Sequence, residues 1–135
     1  MYPARRVQDH GLKTGMPRGV WHPVGAYLVL IFGLSSIPHL APPENISNAD
    51  KIAHFTEYGI LGLLLFRALA AGGRRSRTRT AWLTVLVGAA IAVLDELYQG
   101  TVGRDRSAGD WAADTAGLTV AALAWILRER RRTRS

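Results

Sequence analysis

Four apolar stretches divide this sequence, and the lack of a polar stripe along two of them is the feature that most restricts its fold. The stretches cover residues 24–37, 52–71, 81–94 and 111–127. A helix on the surface of a water-soluble protein needs a polar face opposite its apolar face. In residues 81–94 only Thr84 is polar, and in residues 24–34 only Tyr27 is polar. A chain of 135 residues is too short to bury four such helices on every side.

The lengths of the stretches leave two fold classes open until the flanking charges are included. Uncharged runs of about 14 to 17 residues fall short of the roughly 20 that an α-helix needs to cross a bilayer. Extending each run by its charged first or last turn restores a spanning length. We therefore predict an all-α fold, an integral membrane bundle of four transmembrane helices, rather than a soluble bundle. The first stretch also has features of a signal peptide, but Pro38 just beyond it favours a retained helix.

Basic side chains form three groups that a four-helix serpentine brings to one side. They precede the first stretch, surround the connection after the second, and make up the tail after residue 127, whereas most acids fall in the opposite half. Because Lys and Arg are enriched in cytoplasmic loops, both termini are predicted to be cytoplasmic, in a multi-pass protein of the inner or plasma membrane. The predicted organisation is a basic segment at residues 1–19, a membrane domain at 20–127 and a basic tail at 128–135.

Composition excludes several functional classes. With no cysteine, the chain has no disulfide, thiol nucleophile or cysteine metal site. It also lacks the P-loop, dinucleotide-binding, HExxH and GxSxG motifs. A pI of about 10.8 suits either nucleic acid or an anionic membrane surface as partner. Because the tail RERRRTRS directly follows an apolar stretch, we predict contact with membrane lipids and no nucleic-acid partner.

The segment DKIAHFTEYG, residues 50–59, places ionisable side chains at the start of the second stretch. At about 100° per residue, Asp50, His54 and Glu57 share one helix face, and Tyr58 borders it. A charge at membrane depth is costly, so these groups are predicted to face the bundle interior and to have partners there. Asp50 also fits a simpler role at the positive end of the helix dipole.

The third and fourth stretches both carry acids followed by small residues on one face. Asp95 and Gln99 lie one turn apart, as do Asp110 and Asp114. Small residues continue the two faces, namely Gly88, Ala92, Gly117 and Ala121. Since small residues allow helices to approach closely, we expect these two faces to meet.

The connection GTVGRDRSAGD adds Arg104 and Arg106, which can pair with carboxylates or hold a phosphate. With Lys51 and His54, they are expected to gather in the outer leaflet with six acids: Asp50, Glu57, Asp95, Glu96, Asp110 and Asp114.

These residues resemble the VanZ-like family. Its second-helix motif is similar to Asp50, Lys51, His54, Phe55 and Tyr58 of this chain. Its third-to-fourth-helix signature resembles Asp95, Glu96, Gln99, Gly103, Arg104, Asp110 and Gly117, and its first-helix ending resembles Ile31, Phe32, Ser35, Ser36 and Pro38. Thr101, Asp114 and Ala121 depart from the pattern, with Asp114 standing where Asn is frequent. The resemblance implies a small helical membrane protein, in a family named for a member associated with teicoplanin resistance.

Three functions are compatible with this group of residues. The first is binding of a cell-envelope lipid, a lipid-linked wall intermediate or a glycopeptide. The second is an enzyme that performs phosphoryl or acyl transfer on an envelope lipid, with His54 as general acid or base beside Asp50 or Glu57. The third is a structural cluster that fixes helix register.

For binding, Lys51, Arg104 and Arg106 would hold phosphate while the acids orient them. The remaining binding candidates are Tyr58, Gln99, Asp110 and Asp114, and the further catalytic candidates are Asp95 and Glu96. We predict no metal and no cofactor, because the basic neighbours can neutralise the acids. The alternative is a divalent cation held by oxygen atoms of Asp95, Glu96, Asp110 and Asp114.

Overall fold

The computed structural model describes residues 18–37, 48–73 and 75–132, and every regular element in these ranges is helical. A short 3₁₀ turn, Arg18–Trp21, leads into α1, His22–Ser35. Three longer helices follow: α2, Ala49–Ala70; α3, Arg77–Thr101; and α4, Ala108–Arg132. The prediction of an all-α fold with four helices is therefore confirmed. Each of the three long helices extends beyond its apolar stretch by a charged turn.

Local sequence signals set the ends of these helices. Pro23 lies in the first turn of α1, where its missing N–H costs nothing. The hydroxyl of Ser76 accepts a hydrogen bond from the backbone N–H of Arg79 and so caps α3. After α3, Gly103 has a φ of +82°, a conformation that glycine adopts readily.

Helix α4 packs against α2 through residues without large side chains. A β-carbon added at Gly62 would lie 2.9 Å from Cβ of Ala121, and one added at Gly117 would overlap the carbonyl oxygen of Phe55. On its other side, α4 inserts Leu118 against Gly88 of α3. Backbones therefore approach closely where these helices cross, as is common for helices packed in membranes.

The small faces of α3 and α4 do not meet as expected. Gly88 does face α4, but its neighbour there is the large side chain of Leu118. Gly117 instead faces Phe55 and Gly59 of α2. The expectation named the wrong partner. A helix face made of small residues indicates that another helix approaches closely, but it does not indicate which helix that is.

An ion pair marks the end of the bundle at which α3 begins and α4 finishes. Nε of Arg77 lies 2.9 Å from Oε2 of Glu129, whose Oε1 accepts a hydrogen bond from the indole N–H of Trp125. At the other end, the backbone N–H of Ser107, just before α4, bonds to Glu96 near the end of α3. Helices α3 and α4 are therefore antiparallel.

Two of the helices, α2 and α3, are long and apolar enough to cross a membrane. At 14 residues, α1 is apolar but shorter. Helix α4 has the length, but its acidic start and basic end lower its apolarity.

The burial pattern differs from that of a typical water-soluble protein, although the bundle has an apolar core. Val29 and Trp82 are 75% and 64% exposed, whereas Asp95 and Asp114 are 1% and 0% exposed. Soluble proteins bury large apolar residues and leave acids at the surface. Large apolar side chains on the exterior, together with ionisable groups that face the bundle, are typical of a membrane protein.

Candidate functional site

The ends of two helices and the starts of two others meet at one end of the bundle. Ser35 closes α1 and Gln99 lies near the end of α3, while α2 and α4 begin nearby with Lys51 and Asp110. We call the side chains gathered there the polar cluster: Asp50, Lys51, His54, Glu57, Tyr58, Asp95, Glu96, Gln99, Asp110 and Asp114. Several side chains of the polar cluster are joined by hydrogen bonds between different helices.

The centre of the polar cluster is the contact between His54 of α2 and Asp114 of α4. Nδ1 of His54 lies 3.0 Å from Oδ1 of Asp114, and the carboxylate accepts the hydrogen bond. Both side chains are buried. The other ring nitrogen, Nε2, lies 4.0 Å from Oδ1 of the more exposed Asp50. These contacts confirm the expectation that the His54 side chain faces the interior of the bundle and has an acidic partner there.

A second contact between α2 and α4 lies at the rim of the polar cluster. Nζ of Lys51 donates a hydrogen bond of 3.0 Å to Oδ1 of Asp110. The lysine side chain is 46% exposed, whereas that of Asp110 is buried. This pair therefore closes the cluster towards its surroundings.

Gln99 connects α3 to α1. Its Nε2 donates to Oδ2 of Asp95 at 3.0 Å and to the hydroxyl of Ser35 at 3.4 Å. The predicted shared face of Asp95 and Gln99 is confirmed by the first of these bonds. The role of Ser35 as a buried partner was not foreseen, although the resemblance in the first-helix ending included it.

Ser107 was missed as a member of this site. Its backbone N–H donates to Oε2 of Glu96 at 2.8 Å, and its hydroxyl accepts a hydrogen bond from the backbone N–H of Asp110 at 3.2 Å. The second bond is a helix cap, for which serine three residues before an acid is a recognisable signal. Ser107 thereby fixes the carboxylate of Glu96 beside the start of α4.

Several buried polar atoms have no hydrogen-bond partner among the residues that the structure describes. They are Oε1 of Glu57, the hydroxyl of Tyr58, Oδ1 of Asp95, Oε1 of Glu96 and Oδ2 of Asp114. The Tyr58 hydroxyl interacts with the Asp95 side chain, so the shortage of donors is clearest at the carboxyl oxygens of Glu57, Glu96 and Asp114. Buried polar groups in folded proteins are nearly always paired, so this shortage needs an explanation.

Arg104 and Arg106 form no ion pair with the acids of the polar cluster, although Arg104 lies near enough to interact electrostatically with Glu57. Within the described part of the chain, neither guanidinium lies within 4.0 Å of an acid. The backbone N–H of Arg104 bonds to the carbonyl of Gln99 and helps to end α3. The side chain of Arg106 runs across Gly100, where a β-carbon would lie 2.8 Å from its Cδ.

Arg106 instead lines a groove at the edge of the polar cluster, between α3 and the start of α4. The groove has a volume of about 270 Å³. Its walls are formed by Val93, Leu97, Ala108 and Trp111, and its polar members are Glu96, Arg106 and Ser107. The surface of the groove is almost entirely apolar, and Glu96, Arg106 and Ser107 contribute to it mainly through carbon atoms.

Comparison with known protein families shows which family this chain belongs to. The family model described as VanZ/LLP1 matches residues 13–129, which is most of the chain. No curated protein and no solved structure matches significantly. The chain belongs to the VanZ-like family, and the resemblance found in its motifs is confirmed.

Proposed function

We propose that this member of the VanZ-like family is an integral membrane protein that binds the phosphate-bearing head group of an envelope amphiphile. In this proposal all four helices cross the bilayer. The polar cluster lies in the outer leaflet, and the basic ends of α2 and α4 lie at the cytoplasmic face together with the start of α3. The amphiphile is a lipid or a lipid-linked wall intermediate.

The observation that carries the proposal is the groove beside the polar cluster. Leu97 and Trp111 offer an apolar wall of the kind that an acyl or prenyl chain contacts. The wall leads to Arg106, which is exposed and has no acidic partner among the described residues. A guanidinium binds phosphate with two parallel hydrogen bonds, so Arg106 is suited to hold the head group.

The three cations assigned to phosphate binding do not contribute equally in this proposal. Lys51 already donates one of its three N–H groups to Asp110, whose carboxylate offsets its charge, so it is less suited to attract a phosphate. Arg104 is half-buried at the end of α3, and it is not among the groove residues. Arg106 therefore takes the main role, with Ser107 as a second donor at the mouth of the groove.

Binding to defined lipids tests this function. The full chain is placed in phosphatidylcholine nanodiscs, and retention of added phosphatidylglycerol or undecaprenyl phosphate is measured by native mass spectrometry. We expect saturable binding of at least one of these anionic amphiphiles. Arg106→Gln should weaken that binding by about tenfold, the effect of one good charged hydrogen bond.

Arg79→Gln is the matched control, since Arg79 is exposed at the start of α3, at the other end of the bundle. If lipid binding were weakened equally in the Arg79 and Arg106 variants, the effect would reflect only a general attraction between basic residues and anionic lipid. Binding of neither lipid would contradict the proposal.

The same proposal also predicts an effect on the sensitivity of cells to glycopeptides. If the amphiphile is a wall intermediate, expression in a teicoplanin-sensitive bacterium should change the inhibitory concentration of teicoplanin. Arg106→Gln should abolish the change, and Arg79→Gln should not. An unchanged inhibitory concentration with membrane-inserted protein would remove resistance from the proposal and leave lipid binding in place.

Catalysis is the second candidate, and it rests on the orientation of His54. A histidine held through one ring nitrogen by a carboxylate, here Asp114, is a common arrangement for a general acid or base. Its other nitrogen faces Asp50 at the more exposed side of the polar cluster. Conversion of undecaprenyl phosphate or phosphatidylglycerol by the protein, lost in His54→Gln, would favour this candidate. Saturable binding without product would favour the first.

A further inference from the structure

We infer that His54, Glu96 and Asp114 form a binding site for one divalent cation of the transition-metal type, Zn²⁺ or Mn²⁺. This goes beyond amphiphile binding, because it assigns an inorganic ligand to the interior of the polar cluster. It also departs from the sequence-based expectation of no cofactor.

The geometry of the three side chains carries the inference. One candidate ligand atom from each of His54, Glu96 and Asp114 lies within 4.8 Å of the other two. The three residues come from α2, α3 and α4, and all are buried. Metal–ligand bonds of about 2.0–2.2 Å are reached from such a triangle by small side-chain rotations.

Unpaired oxygen atoms provide a second, independent observation. Glu96 uses Oε2 to accept from Ser107, and Asp114 uses Oδ1 in its contact with His54. The other oxygen of each carboxylate, Oε1 and Oδ2, is buried with no partner among the described residues. In each carboxylate, one oxygen makes the hydrogen bond that fixes the side chain, and the other oxygen remains without a hydrogen-bond partner. A buried charged oxygen without a partner is strongly destabilising, and a cation would remove that cost.

Charge balance in the interior favours the same ligand. Asp95, Glu96, Asp110 and Asp114 are all buried, while the cations near the polar cluster are His54, Lys51 at the rim, and Arg104, which acts on Glu57. Isolated buried carboxylates are costly unless they are paired or coordinate a metal. A divalent ion would supply the missing positive charge in the part of the cluster that Lys51 does not reach.

A neighbouring triangle of Asp50, His54 and Asp110 is a weaker site. Its candidate ligand atoms also lie within 4.8 Å of one another. However, Asp110 already accepts a hydrogen bond from Lys51, and Asp50 is more exposed. A cation there would compete with the ammonium group of Lys51, whereas no Lys or Arg of the described residues lies within 4.0 Å of the Glu96 carboxylate.

The choice of ligands indicates the type of ion. Ca²⁺ and Mg²⁺ prefer sites made only of oxygen atoms, as the alternative set containing Asp95 would have been. The candidate ligand groups among the described residues each combine an imidazole with two carboxylates instead, and neither group includes Asp95. Imidazole nitrogen together with carboxylate oxygen suits Zn²⁺, Mn²⁺ and related ions.

Metal binding by the full chain tests the inference. Tag-free protein in detergent is treated with chelator and dialysed against Zn²⁺ or Mn²⁺, and the bound ion is measured by inductively coupled plasma mass spectrometry. We expect about one ion per chain. Glu96→Gln and Asp114→Asn keep the acceptors for Ser107 and His54 while replacing the free oxygen by an amide nitrogen, and each should weaken binding at least about tenfold.

Controls separate this site from other binding on the same chain. His22→Ala and Asp105→Asn change exposed residues outside the polar cluster and should keep the ion. Arg106→Gln should also keep it, so failure of amphiphile binding and failure of the metal site are distinguishable. Circular dichroism and size-exclusion chromatography check that each variant is folded.

The inference would be overturned by either of two kinds of result, in the wild-type protein or in its variants. One is that folded wild-type protein takes up neither Zn²⁺ nor Mn²⁺ at about 100 μM, a concentration at which a three-ligand buried site should be filled. The other is that Asp50→Asn loses the ion as completely as Glu96→Gln, or that Glu96→Gln retains it. The ion would then be held by another set of side chains.

Discussion

His54 and Asp114 lie 60 positions apart in the chain, yet they share a buried hydrogen bond of 3.0 Å between Nδ1 and Oδ1. The bond connects α2 to α4 at the end of the bundle where most polar side chains are gathered. Directly below it along α4, Gly117 lies against Phe55 and Gly59 of α2. Close backbone packing and the buried polar contact are therefore parts of one helix interface.

Removal of the Asp114 side chain should be strongly destabilising. Asp114→Ala leaves His54 buried without its partner, and breaking a buried pair in this way costs about 3 kcal/mol in free energy of unfolding. Asp114→Asn retains an acceptor for the imidazole, so its cost should be about 1 kcal/mol. Unfolding is followed by circular dichroism in mixed detergent micelles containing chelator, which excludes any contribution from bound metal.

Asp105→Ala is the control for that measurement, because Asp105 is exposed in the connection between α3 and α4. Its free energy of unfolding should match that of the wild type. A similar loss in the Asp105 and Asp114 variants would show that the buried contact contributes little.

Breaking the contact between Lys51 and Asp110 should have a much smaller effect, although its length is also 3.0 Å. Nearly half of the lysine side chain is exposed, which weakens the pair by screening, and a glutamine at this position can still donate a hydrogen bond to the buried carboxylate of Asp110. Lys51→Gln should therefore unfold at nearly the same denaturing-detergent concentration as the wild type, in the same micelle assay. A loss as large as that of Asp114→Ala would mean that Lys51 is an internal partner of the acids.

Helical periodicity explains which parts of the site could be predicted from the sequence. Residues three, four or seven positions apart share a face of one helix, so the inward position of His54 followed from spacing, whereas Tyr58 was placed only at the border of that face and is in fact buried. The bond between Gln99 and Asp95 followed in the same way. The start of each long helix could be placed only to within a few residues, because charged turns extend the apolar stretches.

Contacts between helices could not be predicted by the same means. Periodicity shows that Gly117 lies on a small face, but the partner of that face depends on how the helices are arranged in three dimensions. The connection between α3 and α4 has no period, so nothing in its sequence indicated that Arg106 turns towards a groove and not towards the acids. Ser107 donates a hydrogen bond to Glu96 from its backbone N–H, and a pattern of side chains in the sequence cannot predict such a bond.

Gly117→Ala should weaken the bundle by about 2 kcal/mol or more. An added methyl group would overlap the carbonyl oxygen of Phe55 and lie 2.9 Å from the backbone nitrogen of Gly59. Backbone atoms cannot move aside as a flexible side chain can, so α2 and α4 must separate, and overpacking of this kind typically costs about 1–3 kcal/mol. The free energy of unfolding is measured in detergent micelles.

Gly25→Ala is the matched control, because a β-carbon at Gly25 meets nothing within 4 Å and alanine favours a helix. That variant should be as stable as the wild type or slightly more stable. If Gly117→Ala behaved in the same way, α2 and α4 would not be in close contact in the membrane.

The proposed orientation predicts which ends of α3 can be labelled from outside the cell. Ser76 and Asp105 are exposed just before and just after this helix, whose 25 residues span about 38 Å, enough to cross the hydrocarbon core. Because the chain has no cysteine, Ser76→Cys and Asp105→Cys each introduce a single thiol. In intact cells a membrane-impermeant maleimide should label Asp105→Cys alone, since the basic end is placed at the cytoplasmic face. Both variants should react after permeabilisation, and labelling of Ser76→Cys alone in intact cells would reverse the orientation and place the polar cluster in the inner leaflet.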